Sequence, residues 1–414
     1  MKPIIVGIIA EYNPLHNGHV YHIQKTIELL HPDYVICVMS GNYTQRGEPA
    51  LVSKQVRTEC ALKCGIDCVV ELPFIYATAS AEFFASAGVS VLNSLGCVTH
   101  ISFGCETPDI EILNSIATVL INEPVEFTEI LKNHLEVGMG FAAAREKALH
   151  SIIPDDPGKV VSGSNNILAI EYIKALKRLN SSIIPLPVLR VGADYTDTSF
   201  EHVFSSAMAI RSEIKKKQYI SERVKNFIPE CTNSLILKEI ESGRCPIDSI
   251  KFYHFLQIFL RSIKPEQLNL YPFMEPGLCN RLLKAIKNTS SISDIVKNTV
   301  SKRYPATRIQ RLLLNILSGL TQEDFDRYVR QPVPYARILG FNTTKTELQG
   351  LIKRSSSIPV VTKTSDINNL NKVNVKEIFG YEARTTDIYR YLSCSSNSTA
   401  PSEYEYQIIK VKRE

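Results

Sequence analysis

The chain has 414 residues, 44% apolar and 21% charged, with a formal net charge of +5. This composition excludes a disordered or low-complexity chain and leaves room for two or three domains with a sizeable core. The mild basic excess permits a polyanionic partner without demanding one. Ten cysteines occur with no CxxC pair, which reads as small buried residues in a reducing compartment, not a zinc site or disulfide framework. The N-terminal apolar run is closed by Glu11, too short for a signal-peptide core or for a span of ~20 residues. A cytoplasmic protein without membrane contact is expected, and Asn397-Ser398-Thr399 is then a chance glycosylation pattern.

The chain opens on its most informative stretch. Residues 4–10 read as a buried strand that ends in a turn holding Asn13, Pro14 and Asn17-Gly18, and a helical pattern over 18–30 follows directly. His16 and His19 flank the Asn-Gly pair. A strand that delivers polar groups to the first turn of a helix is a phosphate-binding arrangement, with free N–H groups and a partial positive charge. Gly18 lets a phosphate oxygen approach the backbone. The two imidazoles can hydrogen-bond phosphate oxygens and stabilise charge developing at an attacked phosphorus. A metal site at His16, His19 and His22 is disfavoured, because six residues is not a whole number of helical turns and no carboxylate or cysteine follows at ligand spacing.

Further continuous apolar runs lie at 34–39, 67–72, 100–104 and 183–191, the last interrupted by Pro185 and Pro187. Helical patterns fill the gaps at 53–63, 81–95 and 164–179. This alternation predicts an α/β fold, a Rossmann-like doubly wound parallel sheet. Ligands in such sheets sit at the carboxyl ends of the strands. The segments 11–19, 40–46, 71–74, 104–106 and 190–192 should therefore converge on one cleft. Arg46 lies in the glycine-marked loop after the second strand, and Lys54 and Arg57 sit one turn apart on the next helix. Each can hold a phosphate, a carboxylate or RNA, or be a solvated surface charge; Arg46 and Lys54 flank the loop beside the cleft. Gly104 ends a strand where a side chain would obstruct a base or ribose. Asn165 stands at a helix start, where its amide either bonds a nucleotide or caps the helix. Arg190 ends a strand with a cation long enough to reach the cleft.

In the segment 204–211, Ser205 or Ser206 would cap a helix whose N–H groups face phosphates, and Arg211 would offer a planar fork of donors to pyrophosphate. The plainer reading is a capped helix with a surface arginine. Beyond residue 217 strand runs largely disappear. Helical patterns at 233–241, 250–262, 276–287, 292–300, 305–317 and 322–329 predict a mostly helical second domain, giving a division at 1–217 and 218–414. Within it, Arg303, Arg308 and Arg311 form a cationic face beside Tyr304, suited to RNA phosphates; Arg281, Lys284 and Lys287 read as a solvated face. A helix end at 353–357, a short strand at 358–363, a Ser/Asn-rich stretch at 393–402 and a last strand at 404–411 close the chain.

The segment His16-Asn17-Gly18-His19 resembles the HxGH signature of the α/β-phosphodiesterase nucleotidyltransferases. The longer string from Glu11 through Tyr12, Asn13, Pro14 and Leu15 to His19 is similar to one branch, the tRNA(Met) cytidine acetate ligases. The resemblance implies an ATP site made of Ile9, Ala10, Glu11, Tyr12, Asn13, Pro14, Leu15, His16, Asn17, Gly18, His19, Val20, Tyr21 and His22, together with Gly104, Asn165 of the Asn165-Asn166-Ile167-Leu168 string, and Arg190-Val191. The 204–211 segment resembles the superfamily's ISSTxxR motif, with Met208 standing where a threonine is usual. On this resemblance His16, His19, Ser206 and Arg211 carry catalysis. Acetate is activated by ATP, with magnesium accompanying the triphosphate, and the wobble cytidine of elongator tRNA(Met) is acetylated. Strings similar to 302–311 also occur in that family. The implied partners are tRNA and acetate, with no protein partner. A small-molecule adenylyltransferase and a non-catalytic RNA-binding protein with a relic nucleotide pocket are the competing readings. The size of the second half speaks against the former and the intact histidines and arginine against the latter.

Overall fold

The structure is a computed structural model that describes residues 3–153, 157–191, 204–370, 372–393 and 401–413. Five parallel strands form its centre: β1 (Ile5–Ala10), β2 (Tyr34–Ser40), β3 (Cys68–Leu72), β4 (His100–Cys105) and β5 (Ile184–Leu189). They lie in the order β5-β4-β1-β2-β3. The chain thus runs outward from β1 in one direction through β2 and β3, and in the other through β4 and β5. A crevice opens at such a reversal, between the carboxyl ends of β1 and β4.

Burial on both faces explains why the strands read as continuous apolar runs. Along β2, Val35, Cys37 and Met39 join the cluster holding Ile23 of helix Asn17–Leu30 and Cys60, Ala61 and Leu62 of helix Lys54–Lys63. Ile36 and Val38 alternate with them and join the cluster of Phe84, Val89 and Leu92 from helix Ala81–Ser94. Helix Ser164–Arg178 packs on that last helix. The prolines of β5 are tolerated because β5 is an edge strand, paired with β4 alone among the described residues.

The sheet does not stop at β3. β6 (Ala336–Asn342), which the sequence reading left out, pairs antiparallel with β3. β7 (Val360–Val361) and β8 (Ile409–Val411) pair with β6. Strands from both sides of residue 217 therefore share one sheet. The region after 217 is otherwise helical, as expected from its periodicity. Helices that were not foreseen run over Ile110–Asn122, Val125–Glu136, Phe141–Ile152 and Pro157–Ser162, between β4 and β5, and over Val373–Ser393. The expected last strand is shorter than its apolar run and follows a 3₁₀ turn at Glu403–Glu405. Most of the Ser/Asn-rich stretch, 394–400, lies outside the described residues. Among the described residues no helix is long and apolar enough to cross a membrane.

One buried ionic cluster ties the late elements to the early ones. Lys54 Nζ lies 2.5 Å from Glu71 Oε1, 2.8 Å from Glu382 Oε1 and 2.8 Å from Glu403 Oε2. Arg337 on β6 pairs with Glu71, at 3.0 Å, and with Glu403. Burial and the neighbouring Glu71 push the Glu382 carboxyl up to about 8. Against the effect of burial, Lys54 and Arg337 hold Glu403 down at about 2. Burial alone would lower the Lys54 ammonium, but Glu382, Glu403 and Glu71 outweigh it and push it up. Lys54 corrects the sequence reading: it is fully buried and cannot meet RNA or a nucleotide.

Candidate active site

At the carboxyl end of β1 the backbone makes an abrupt turn. Tyr12 adopts a left-handed φ of 48°, and the Asn13 side chain pins the turn by accepting from Leu51 N at 2.7 Å. Arg57 holds the same end from behind. Its guanidinium donates to Glu11 O at 2.6 Å, Ser40 O at 3.1 Å and Val52 O at 3.2 Å, and also to Gly41 O. Arg57 is therefore an internal tie between the ends of β1 and β2, not the ligand-facing cation it resembled in sequence.

His16 then caps helix Asn17–Leu30. Gly18 N donates to His16 Nδ1 at 3.1 Å, and His16 N donates to His19 Nδ1 at 3.2 Å. The two rings stack with centroids 3.8 Å apart. Because each Nδ1 accepts a backbone proton, each neutral ring carries its own proton on Nε2. Burial first, then Arg190 and Arg211, pushes His16 down to about 3; burial, then His16 and Arg190, lowers His19 well below the usual imidazole range. His22 falls to about 4 for want of solvent and through Arg190. It is tied to the sheet by a 3.0 Å bond to Ser102 Oγ. The imidazoles are thus two fixed, uncharged Nε2–H donors at neutral pH.

This arrangement corrects one expectation about the helix end. The first-turn amides are not free: Asn17 N donates to Phe227 O at 2.9 Å, Gly18 N to His16 and His19 N to His16 O at 2.8 Å. Gly18 has its own reason, since a Cβ there would lie 2.9 Å from His16 Cε1.

The opposite wall comes from β4, β5 and helix Ser164–Arg178. Glu106 and Asn166 cap each other's segments. The Glu106 carboxylate accepts from Asn165 N, Asn165 Nδ2 and Asn166 N at 3.2, 2.7 and 2.8 Å. Asn166 Oδ1 accepts from Glu106 N and Thr107 N at 2.9 and 3.1 Å. This fixes Asn165 at the cleft, where its Oδ1 lies 3.5 Å from Arg190 Nη1. Gly104 makes room for Arg190, because a Cβ would sit 3.1 Å from the arginine Cγ. Ser206 Oγ caps helix Ala207–Lys217 by accepting from Ala209 N at 3.0 Å. Arg211, on that helix, donates to Asn13 O at 2.6 Å and so braces the turn that holds the histidines.

These groups face one cavity of about 380 Å³. Of the expected residues, Ile9, Ala10, Glu11, Tyr12, Asn13, His16, Gly18, His19, Tyr21, His22, Gly104, Asn165, Arg190, Val191, Ser206 and Arg211 line it. Pro14, Leu15, Asn17 and Val20 do not line it. Two members of the expected RNA set also line the cavity, Arg46 and Arg311. Arg311 enters from helix Ala306–Ser318 and donates to Gln45 O at 3.4 Å. Burial, Arg308 and Arg46 push its guanidinium down to about 10. The close seating requires Gly47, at φ +80°, whose Cβ would strike the Arg311 backbone N at 2.5 Å. Arg303 and Arg308 lie farther out, both paired with Glu275 at 2.6 Å. Glu106, Asn166 and Gln45 stand in stretches that the sequence points to, but it gives none of them a role. Their signal is a partner across the fold, invisible to local spacing.

Among the described residues no three His, Cys, Asp or Glu side chains are grouped to hold a metal ion. The carboxylates beside the cavity are engaged: Glu106 on helix amides, and Glu11 on Gln45 N at 2.6 Å. Burial raises Glu11 despite that bond and the nearby Arg211. The protein side therefore does not fit a dedicated magnesium site.

Residues 2–403 match the model of the family described as HIGH Nucleotidyl Transferase. A tRNA(Met) cytidine acetate ligase of Acetivibrio thermocellus is 40% identical over 417 residues, covering 98% of this chain and 99% of its own length. One from Thermoanaerobacter sp. is 40% identical over 408 residues, with 98% and 100% covered. The crystal structure of apo Thermotoga maritima TmcAL superposes with a TM-score of 0.93 at 33% identity, covering 99% of this chain and 100% of that one. The same protein bound with alpha-thio ATP gives 0.91 at 32% identity. Identity at this level along nearly the whole length places the chain among the HIGH nucleotidyltransferases, in the family of the tRNA(Met) cytidine acetate ligases.

Proposed function

We propose that the chain is an ATP-dependent ligase that activates acetate as acetyl-adenylate and acetylates the wobble cytidine of elongator tRNA(Met) to N4-acetylcytidine. The observation that carries this reading is one cavity shared by the two Nε2–H imidazoles and the Arg211 guanidinium. A carboxylate oxygen of acetate attacks the α-phosphorus, and the bond to the β-phosphate oxygen breaks. The imidazoles stabilise charge on the α-phosphate oxygens, and Arg211 at the Ser206 helix end receives the departing pyrophosphate. Neutral donors suit the first task. A proton on Nδ1 would confront a backbone N–H, so these rings donate from Nε2 and do not serve as cations. A magnesium ion would be held by the triphosphate and water, since the nearby carboxylates are engaged.

The exocyclic amine of a flipped-out cytidine then attacks the acyl carbon. The bond to the AMP oxygen breaks and the amine loses a proton. Unstacking a loop base costs a few kcal/mol at most, which suits an anticodon position. Arg46 and Arg311 support the RNA reading, because they set positive charge inside the cavity, Arg46 from the loop after β2 and Arg311 from the helical half. Lys54 takes no part, and Arg303 and Arg308 are partly neutralised by Glu275. An RNA-modifying enzyme of this kind belongs in the cytoplasm. Nucleoside mass spectrometry of tRNA incubated with the protein, ATP and acetate tests the assignment. N4-acetylcytidine that depends on both cosubstrates is expected. A modified small molecule with untouched tRNA would point to an adenylyltransferase.

A further inference from the structure

Outside the cavity, Cys64 and Cys231 bring their sulfurs within 3.3 Å of each other across 167 residues of sequence. Cys64 is the C-cap of helix Lys54–Lys63, and Cys231 lies in the first turn of helix Glu230–Glu241. Both are half-buried, and neither is in a disulfide. The other cysteine of this corner, Cys60, is buried one turn before Cys64 on the same helix. We infer that Cys64 and Cys231 form a reversible intramolecular disulfide, a modification site that joins the helix behind the ATP cleft to the helical half.

The contact is the distance of two thiols in hydrogen bond, and a side-chain rotation closes it to the ~2.05 Å of a disulfide. Either sulfur can donate in this contact, but Cys231 sits in the first turn of its helix, where the helix dipole and Lys63 favour a thiolate, whereas Cys64 stands at a helix C-terminus, which disfavours one. Cys231 is therefore the attacking sulfur. With a small disulfide such as oxidised glutathione as oxidant, the Cys231 thiolate attacks one of its sulfurs and expels a thiolate. Cys64 then loses its proton, attacks the Cys231 sulfur of the mixed disulfide and expels the second thiolate. The two protein thiols supply two electrons and two protons, and two molecules of glutathione leave. The linked helix carries Arg57, and four residues before Cys231 the carbonyl of Phe227 accepts from Asn17 N. The bond thus fastens two elements that flank the HxGH turn.

The test treats folded, full-length protein with oxidised glutathione, blocks free thiols by alkylation, and maps peptides by mass spectrometry without reduction. A Cys64–Cys231 peptide is expected at least tenfold above any other cysteine pair, with no lasting glutathione adduct at either position. Cys64→Ser should instead retain glutathione on Cys231, which shows that the attack begins there and that the variant is folded enough to react. Circular dichroism confirms the fold of each variant. A stable glutathione adduct on the unmutated protein, or linkage no more frequent than between other pairs, would overturn the inference. The outcome does not depend on the ligase activity.

Discussion

Arg57→Lys tests whether the end of β1 is held from behind. The guanidinium meets carbonyls of Glu11, Ser40, Gly41 and Val52, which belong to three separate segments. A lysine keeps the charge but concentrates its donors on one nitrogen, without the planar fork. Two of the four carbonyls are then left buried and unpaired, at about 1–3 kcal/mol each. The expected loss is ~2–6 kcal/mol, a large share of the ~5–15 kcal/mol of a typical fold. The Glu11 carbonyl also shifts, and a displacement of about 1 Å near a reacting centre lowers rates by about 10²-fold. Urea unfolding reads the first effect and acetate-dependent pyrophosphate exchange the second, under conditions where circular dichroism shows the variant folded. Stability within about 1 kcal/mol of the parent together with unchanged exchange would refute the reasoning.

Lys54→Met removes one of the two cations that pair with the buried side chains of Glu71, Glu382 and Glu403 and should cost about 3–5 kcal/mol in urea unfolding; a loss typical of a solvated surface lysine would contradict the buried cluster. Gly104→Ala places a methyl 3.1 Å from Arg190 Cγ, so the ATP Michaelis constant should rise several-fold while urea stability changes little. His16 has a folded pKa of about 3, below its ordinary value near 6.5. The unfolded chain therefore takes up a proton that the native site refuses, and stability falls as pH drops below about 6.5. Between pH 7.5 and pH 5 this amounts to ~2 kcal/mol. His16→Gln should lose about that much less over the same range, measured by urea titration without nucleotide; identical slopes would contradict a neutral, buried imidazole.

The parts of the site readable in sequence share a property: their meaning is local. A continuous apolar run meeting Asn-Gly and two histidines specifies a strand, a turn and a helix start within some twenty residues. Ser206 and Arg211 are likewise fixed by spacing along one helix. What escaped notice depends on partners far along the chain. Lys54 and Arg57, one turn apart, look like an exposed cationic face, yet Glu382 lies 328 residues from Lys54. Glu106 gains its role only when helix Ser164–Arg178 starts against it. β6 was missed because its partner β3 lies so far upstream, and a lone apolar run after a helical region gives no sign of which sheet it joins.

The central claim is that the HxGH imidazoles and Arg211 act together on one bound triphosphate. Exchange of labelled pyrophosphate into ATP, driven by acetate and measured without tRNA, isolates that step. The parent protein should exchange label, and His19→Ala and Arg211→Ala should each lose activity by about 10²-fold or more, while tRNA binding by filter retention stays intact. Exchange that persists at parental rates in both variants would contradict the account.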